Sequence, residues 1–283
     1  MSPLAFLLEG LAAGAVPALL AAGLAIAHRS TGVLSFAHAA VGAAGAYAAW
    51  RLRGWGPGIG GIAAVLAGAT LGLVMAPGAR EALRRGRAPA VLFTLGFAYL
   101  VETGLRAGFG SDPKAYLQYW VGEAPVALPD GGHAARSDLA TLLAVTLASG
   151  AAALGLGKTS LGRALWAVGS SRPAAIALGL NLGRLERLAW ALSGAAAGLS
   201  GWLLAPKLGV SPGMLFQPMI AGFVAAALGG LDHPGRAFVA GLGLGLAERS
   251  AYLALDPAAA HAARWWIYAA GVMLSSWRRR DDR

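Results

Sequence analysis

The sequence predicts an all-α protein, a polytopic transmembrane helix bundle of about eight or nine spans, on three observations. Hydrophobic residues fill 57% of the 283 positions and charged residues only 13%, where a soluble domain carries about a quarter charged residues. Apolar runs of roughly 18 residues or more recur from end to end, the length a helix needs to cross a bilayer. The 42 glycines fall largely inside those runs, where small residues let helix backbones approach closely.

In chain order the runs lie near residues 4–27, 33–50, 59–77, 89–109, 138–156, 187–204, 217–231, 235–255 and 263–277. Pro17 would kink the first. The runs at 217–231 and 263–277 are short enough to be half-helices or re-entrant pieces buried in protein. GxxxG spacings at Gly68/Gly72, Gly104/Gly108, Gly194/Gly198 and Gly241/Gly245 suit close packing. No fixed-period repeat is visible, and residues 1–283 read as a single transmembrane domain. Ala25-Ile26-Ala27 resembles a signal-peptide cleavage site. Residues 1–8 carry no Lys or Arg, however, and the run is longer than an h-region of about 7–15 residues, so 4–27 is expected to stay as the first span.

The net charge is +10, and 20 of the 23 basic residues are Arg. They sit in short loops between apolar runs rather than on a soluble face, which excludes nucleic acid and points to membrane orientation. With the N-terminus outside, fifteen basic residues fall on the inner side and six on the outer, with Arg106 and Arg249 left near span ends. The expected orientation is N-terminus out, C-terminus in. The absence of cysteine excludes disulfides and thiolate metal sites. The outer loop 110–137 holds Asp112, Glu123, Asp130, Tyr116, Tyr119 and Trp120, and reads as a solvated loop or a surface for an extracellular partner.

One polar stretch, 157–187, is too patterned to be a slack linker. Ser170 or Ser171 can cap a helix start, and Pro173 is tolerated in its first turn. Residues 174–178 continue the turn, and Gly179 can take the left-handed conformation that closes a helix, with Asn181 just beyond. The expectation is a short capped helix edged by Arg163, Arg172, Arg184 and Arg187, a docking element on the inner face.

No catalytic residues emerge. Gly155-Leu-Gly157-Lys158-Thr159 resembles the end of a P-loop, but the pattern wants Gly where Ala152 stands and a strand where an apolar helix precedes it. Gly198-Leu-Ser200-Gly201 fits the GxSG of intramembrane serine proteases, which needs a histidine to take the serine proton. His233 and His261 fall at loop edges, and Ser200 among Gly194, Gly198 and Gly201 suits a close-packed helix face. The five histidines show no metal-ligand spacing. Ionisable groups inside spans should face protein or a water-filled path. His38, about a turn and a half into the second span, can bond across helices or line a substrate route. Glu102 and Arg106 can pair at i,i+4. Glu248 and Arg249 diverge by about 100° around a helix, with Glu248 facing inward and Arg249 snorkelling.

The stretch Gly23-Leu-Ala-Ile-Ala-His-Arg-Ser-Thr-Gly-Val-Leu-Ser-Phe-Ala-His38 resembles the start of an inner-membrane permease of the branched-chain amino acid ABC transporters. Thr94 to Glu102, Gly162 to Val168, Ala174 to Asn181, Ala191 to Gly198, and Leu228 to Leu231 followed by Pro234-Gly235 are similar to further segments of that family, in family order. Ser35 stands where the family usually has Asn, Ala39 where it has Gly, and Arg172-Pro173 where an acidic residue is common. The resemblance implies a permease subunit, not an enzyme, in a bacterial inner membrane. It implies a second permease, two cytoplasmic ATPase subunits that use ATP and magnesium, and an extracytoplasmic substrate-binding protein, with no cofactor held by this chain. Branched-chain or other apolar amino acids, urea or small amides are the implied cargo. Residues 172–181 match the family's coupling segment, which places Arg163, Arg172, Ala174, Ala175, Gly179 and Asn181 at the ATPase contact. Ser35, Phe36, His38, Glu102 and Glu248 are the polar or pathway candidates. The alternatives are a stand-alone secondary transporter or channel and an intramembrane serine protease built on Ser200.

Overall fold

A computed structural model describes residues 2–116 and 124–281; Tyr119, Trp120, Glu123 and Arg283 lie outside the described residues. Each of the nine apolar runs carries a helix. In order these are α1 (Pro3–Thr31), α2 (His38–Arg51), α3 (Pro57–Arg84), α4 (Arg87–Phe109) and α5 (Arg136–Lys158). Next come α6 (Ser160–Ser170) and α7 (Arg172–Ala177), inside the polar stretch, then α8 (Leu182–Leu208), α9 (Phe216–Gly229), α10 (Pro234–Ala254) and α11 (Pro257–Asp281). A two-stranded antiparallel ribbon, β1 (Val126–Ala127) and β2 (His133–Ala134), folds the long loop before α5.

Among the described residues α1, α3, α4, α5 and α8 are long and apolar enough to cross a membrane. The helix α1 runs through Pro17 without interruption. The run at 263–277 is part of the 25-residue α11 rather than a half-helix. Two helices are half-length: α9, as its short run suggests, and α2, which the sequence places as a full span. Each has 14 residues, about 21 Å of helix against a hydrocarbon core of about 30 Å. Val33, Leu34, Phe36 and Ala37 are apolar enough to count toward a span, yet residues 32–37 are not helical.

The element lengths run long, short, long, long in both halves. Exchanging α1 with α8, α2 with α9, α3 with α10 and α4 with α11 carries the packing scheme onto itself. The two most extensive pairings, α1 with α10 and α3 with α8, exchange places. The pairs α2–α8 and α1–α9 also exchange, as do α2–α3 and α9–α10. Ile26, near the end of α1, packs with Leu185 and Ala189, near the start of α8, so the two halves run in opposite senses. This is an inverted-topology repeat, carried by helix length and direction rather than by a sequence period.

Glycine sets the distance in the main pairings. A Cβ at Gly68, Gly72, Gly194 or Gly198 would run into the facing backbone between α3 and α8. A Cβ on Gly14 of α1 would sit 2.5 Å from the Gly241 carbonyl oxygen of α10, and one on Gly45 of α2 would sit 2.6 Å from Gly198 Cα. Gly104 and Gly108 on α4 meet nothing within 4 Å, so that GxxxG is not a packing motif in this chain. Overpacking costs about 1–3 kcal/mol even where side chains can shift, and a backbone cannot shift as they do. Gly194→Val is expected to lower the detergent-solubilised Tm by several degrees, with Gly104→Val leaving it unchanged in the same melting assay.

Candidate functional site

The polar stretch folds as the local chemistry requires. Thr159 caps α6, its hydroxyl accepting from Gly162 N at 3.0 Å. Ser171 caps α7, accepting from Ala174 N at 3.3 Å, with Pro173 in the first turn. Gly179 has φ +72°, and the helix ends in paired bonds from Gly179 N to the Ile176 carbonyl (2.9 Å) and from Leu180 N to the Ala175 carbonyl (3.0 Å). That is the Schellman closure, which favours a residue free to adopt positive φ. Asn181 serves the next element: its side chain accepts from Arg184 N at 3.1 Å and caps α8.

A buried acid welds this short element to the bundle. Glu186, one turn into α8, is 4% exposed at its side chain; it pairs with Arg172 of α7 and lies 3.3 Å from Arg80 Nε of α3. Ala175 is fully buried against Leu165, Val168, Leu185 and Ala189. Ile176 and Leu178 point the other way and are 60% and 72% exposed. Arg163 is exposed and donates to the Lys158 carbonyl at 3.2 Å, and Ala174 is exposed as well. Of the residues singled out in the stretch, Arg172 and Ala175 therefore hold the element in place, while Ala174 and Arg163 face outward. Glu186, Ile176 and Leu178 are not singled out by the sequence pattern. The one signal for Glu186 is an acid set between Arg184 and Arg187. A cleft of about 350 Å³ opens beside the triad, lined in part by Arg80, Arg84, Asn181, Glu186 and Arg187.

The second feature is the interruption after α1. Buried backbone groups that leave a helix must find partners within the protein, and two threonines supply them. Gly32 closes α1 at φ +75° and donates to the His28 carbonyl at 2.6 Å. The Thr31 hydroxyl donates to the Ala27 carbonyl and accepts from Val33 N at 3.2 Å. Fully buried Thr94 of α4 accepts from Phe36 N at 3.2 Å. The Phe36 ring packs on Phe223 of α9 with centroids 4.9 Å apart. The matching interruption after α8 begins at Gly209, φ +72°, and Val210 exchanges two backbone bonds with Lys114 of the loop after α4, at 2.8 and 2.9 Å.

His38 is the first residue of α2, not a turn and a half inside it. Its Nδ1 lies 3.4 Å from the Ser193 hydroxyl of α8. Its Nε2 has no partner, and a Cβ on Gly23 would meet it at 2.8 Å, so the ring is wedged against α1. Ser35 is fully buried with its hydroxyl unpartnered. Ser200 donates to the Ala196 carbonyl one turn back at 2.8 Å, the bond of a packing serine.

The other ionisable residues that the sequence singles out inside spans are paired. Glu102 and Arg106 meet at 2.6 Å within α4. Glu248 accepts from the Tyr268 hydroxyl at 2.6 Å and lies 3.3 Å from Arg264 Nε, both on α11. Arg249 does not snorkel: it pairs with Glu9 of α1. The divergence of two adjacent residues around a helix thus sends one to α11 and the other to α1.

The triad around Glu186 predicts non-additive energetics. Arg80 or Arg172 replaced singly by Gln leaves Glu186 one partner and is expected to cost under about 1 kcal/mol, since both arginines are 42% exposed. The double variant leaves a buried acid unpaired, a loss of about 3–5 kcal/mol in comparable sites. Melting curves of the two single variants and the double one check this.

The chain matches the family described as "Branched-chain amino acid transport system / permease component" over residues 6–274. It is 26% identical over 265 residues to the high-affinity branched-chain amino acid transport system permease protein LivH of Escherichia coli K12, covering 88% of this chain and 86% of that protein. The LivH protein of Salmonella typhimurium gives the same identity and coverage. No solved structure matches. These relatives are transport subunits, not enzymes, and this chain, a multi-pass bundle matched over nearly its whole length, belongs to the branched-chain amino acid transport system permease family.

Proposed function

We propose that this chain is one transmembrane half of an ATP-driven ABC importer in a bacterial inner membrane. The whole chain acts as one permease domain, with its N-terminus outside and α6–α7 and the C-terminus in the cytoplasm, an orientation that rests on the inner-side excess of arginine. It pairs with a second permease, two cytoplasmic ATPase chains that bind ATP and magnesium, and an extracytoplasmic binding protein. The cargo is a branched-chain or other apolar amino acid, or a related small amide, with LivH as a guide among the named relatives.

The observation that carries this reading is the two-sided build of α7. One side, through Ala175 and the Arg172–Glu186–Arg80 triad, is fixed to α8 and α3. The other presents Ile176 and Leu178 to solvent. A short rigid helix gripped by a motor moves as a body and carries its attached spans with it. Ile176 and Leu178 are the knobs that a pocket on the ATPase would hold, and Arg163 lies on the same side of the bundle.

A stand-alone secondary transporter draws support from one observation, the interrupted helices in inverted halves. It also calls for an ion-coupled carboxylate or proton relay near those interruptions. Buried beside the interruption after α1 are Ser35, His38, Thr94 and Ser193; the carboxylates next to the two interruptions, Asp232 and Asp138, are held by His28 and Lys207, and Glu9, Glu102 and Glu248 each face an arginine.

Ile176→Asp or Leu178→Asp is expected to reduce ATP-driven leucine uptake in proteoliposomes roughly tenfold or more, the loss of a buried apolar anchor, with membrane insertion intact. Uptake that survives replacement of residues 170–181 by a Gly-Ser linker, or that runs on an ion gradient without ATP, would sink the importer reading.

A further inference from the structure

We propose that Arg29 and Trp166 are positioning residues through which movement of α6–α7 reaches the interrupted segment 32–37. The proposal rests on the importer reading and adds to it a route by which the coupling element acts on the chain.

Arg29 lies three residues before Gly32, in the last turn of α1. Its guanidinium carbon sits 3.3 Å from the centroid of the Trp166 ring of α6. Trp166 is itself held, its Nε1 donating to the Leu156 carbonyl of α5 at 2.9 Å. On its other side Arg29 donates to the Asp232 carbonyl at 2.8 Å, in the turn between α9 and α10, and His28 Nδ1 lies 3.0 Å from Asp232 Oδ1. The backbones touch as well: a Cβ on Gly169 of α6 would fall 2.5 Å from the Arg29 carbonyl oxygen. The end of α1 is therefore clamped between α6 and the α9–α10 turn.

The segment just beyond this clamp is the non-helical stretch 32–37. Upstream, α1 is locked at backbone distance to α10 through Gly10 and Gly14. Downstream, Val33 N is held by the Thr31 hydroxyl, Phe36 N by the Thr94 hydroxyl, and Phe36 by ring contact with Phe223. A displacement of α6 that moves Arg29 cannot be absorbed in the packed helix, so the irregular segment next to it takes up the φ/ψ change. The other half is built alike. Lys207, two residues before Gly209, pairs with Asp138 in the first turn of α5. The helices α5 and α6, consecutive in the chain and separated at Thr159, thus contact the chain just ahead of both interruptions, and the coupling helix is joined to the α6 end.

Spatial order alone does not establish coupling, so the test reads movement directly. The chain has no cysteine, and Leu34→Cys places a single thiol in the segment, at a half-buried position. Maleimide labelling of this variant is measured in the complete reconstituted importer, nucleotide-free and trapped with ATP and vanadate. The expected result is a rate difference of about threefold or more between the two states. Adding Trp166→Ala or Arg29→Ala is expected to abolish it, with Trp166→Phe, which keeps the ring face, restoring it. Arg29→Gln serves if an alanine variant fails to assemble with the ATPases. A state-dependent difference that persists in the Trp166→Ala and Arg29→Gln variants overturns the proposal, as does its absence in the parent Leu34→Cys chain. Failure of the importer reading registers separately, as no ATP-driven leucine uptake by the parent complex.

Discussion

Backbone against backbone is the constraint the rest of the structure depends on. In lipid there is no hydrophobic gain in pressing one apolar helix on another, so cohesion comes from close packing and from polar groups that find partners inside the protein. Here α3 meets α8 at Gly68, Gly72, Gly194 and Gly198, and α1 meets α10 at Gly10, Gly14, Gly241 and Gly245. These two pairings are equivalent under the exchange of halves. They form the closely packed frame of the bundle.

The two breaks outside that frame are polar solutions to backbone problems. The interruptions after α1 and α8 give up helical bonds and recover them from Thr31, Thr94 and Lys114. Such bonds are few and come from side chains or a loop, so they can be exchanged at less cost than a run of helix. The short helix α7 sits at the opposite extreme. Its caps are complete, its inner side is packed, and its anchor is a buried acid between two arginines. Under the proposed importer reading, the capped helix is what an ATPase would grip, and the non-helical segment is where its movement would be taken up.

The polar residues of the interruption are buried. Ser35 and His38 each keep an unpartnered atom while almost wholly removed from solvent. His38 is wedged on Gly23, and Phe36 is packed on Phe223.

Much of this was legible in the sequence, and the division follows the range of the interactions. The nine helices in the apolar runs follow from composition, because the transfer energy of a run adds along the chain. Ser171, Pro173 and Gly179 follow from capping rules confined to a few residues, and Glu102–Arg106 from the pitch of one helix. Residues 33–50 misled for the same reason: hydropathy sums over Val33, Leu34, Phe36 and Ala37 whatever their backbone conformation, so a break made of apolar residues is silent. Which GxxxG pairs are contacts, the partner of Arg249, the burial of Glu186 and the inverted relation of the halves were decided only by tertiary structure. Each depends on which helix faces which across more than a hundred residues of chain, and a local pattern of glycines or charges is the same whether that face meets a neighbour or open space.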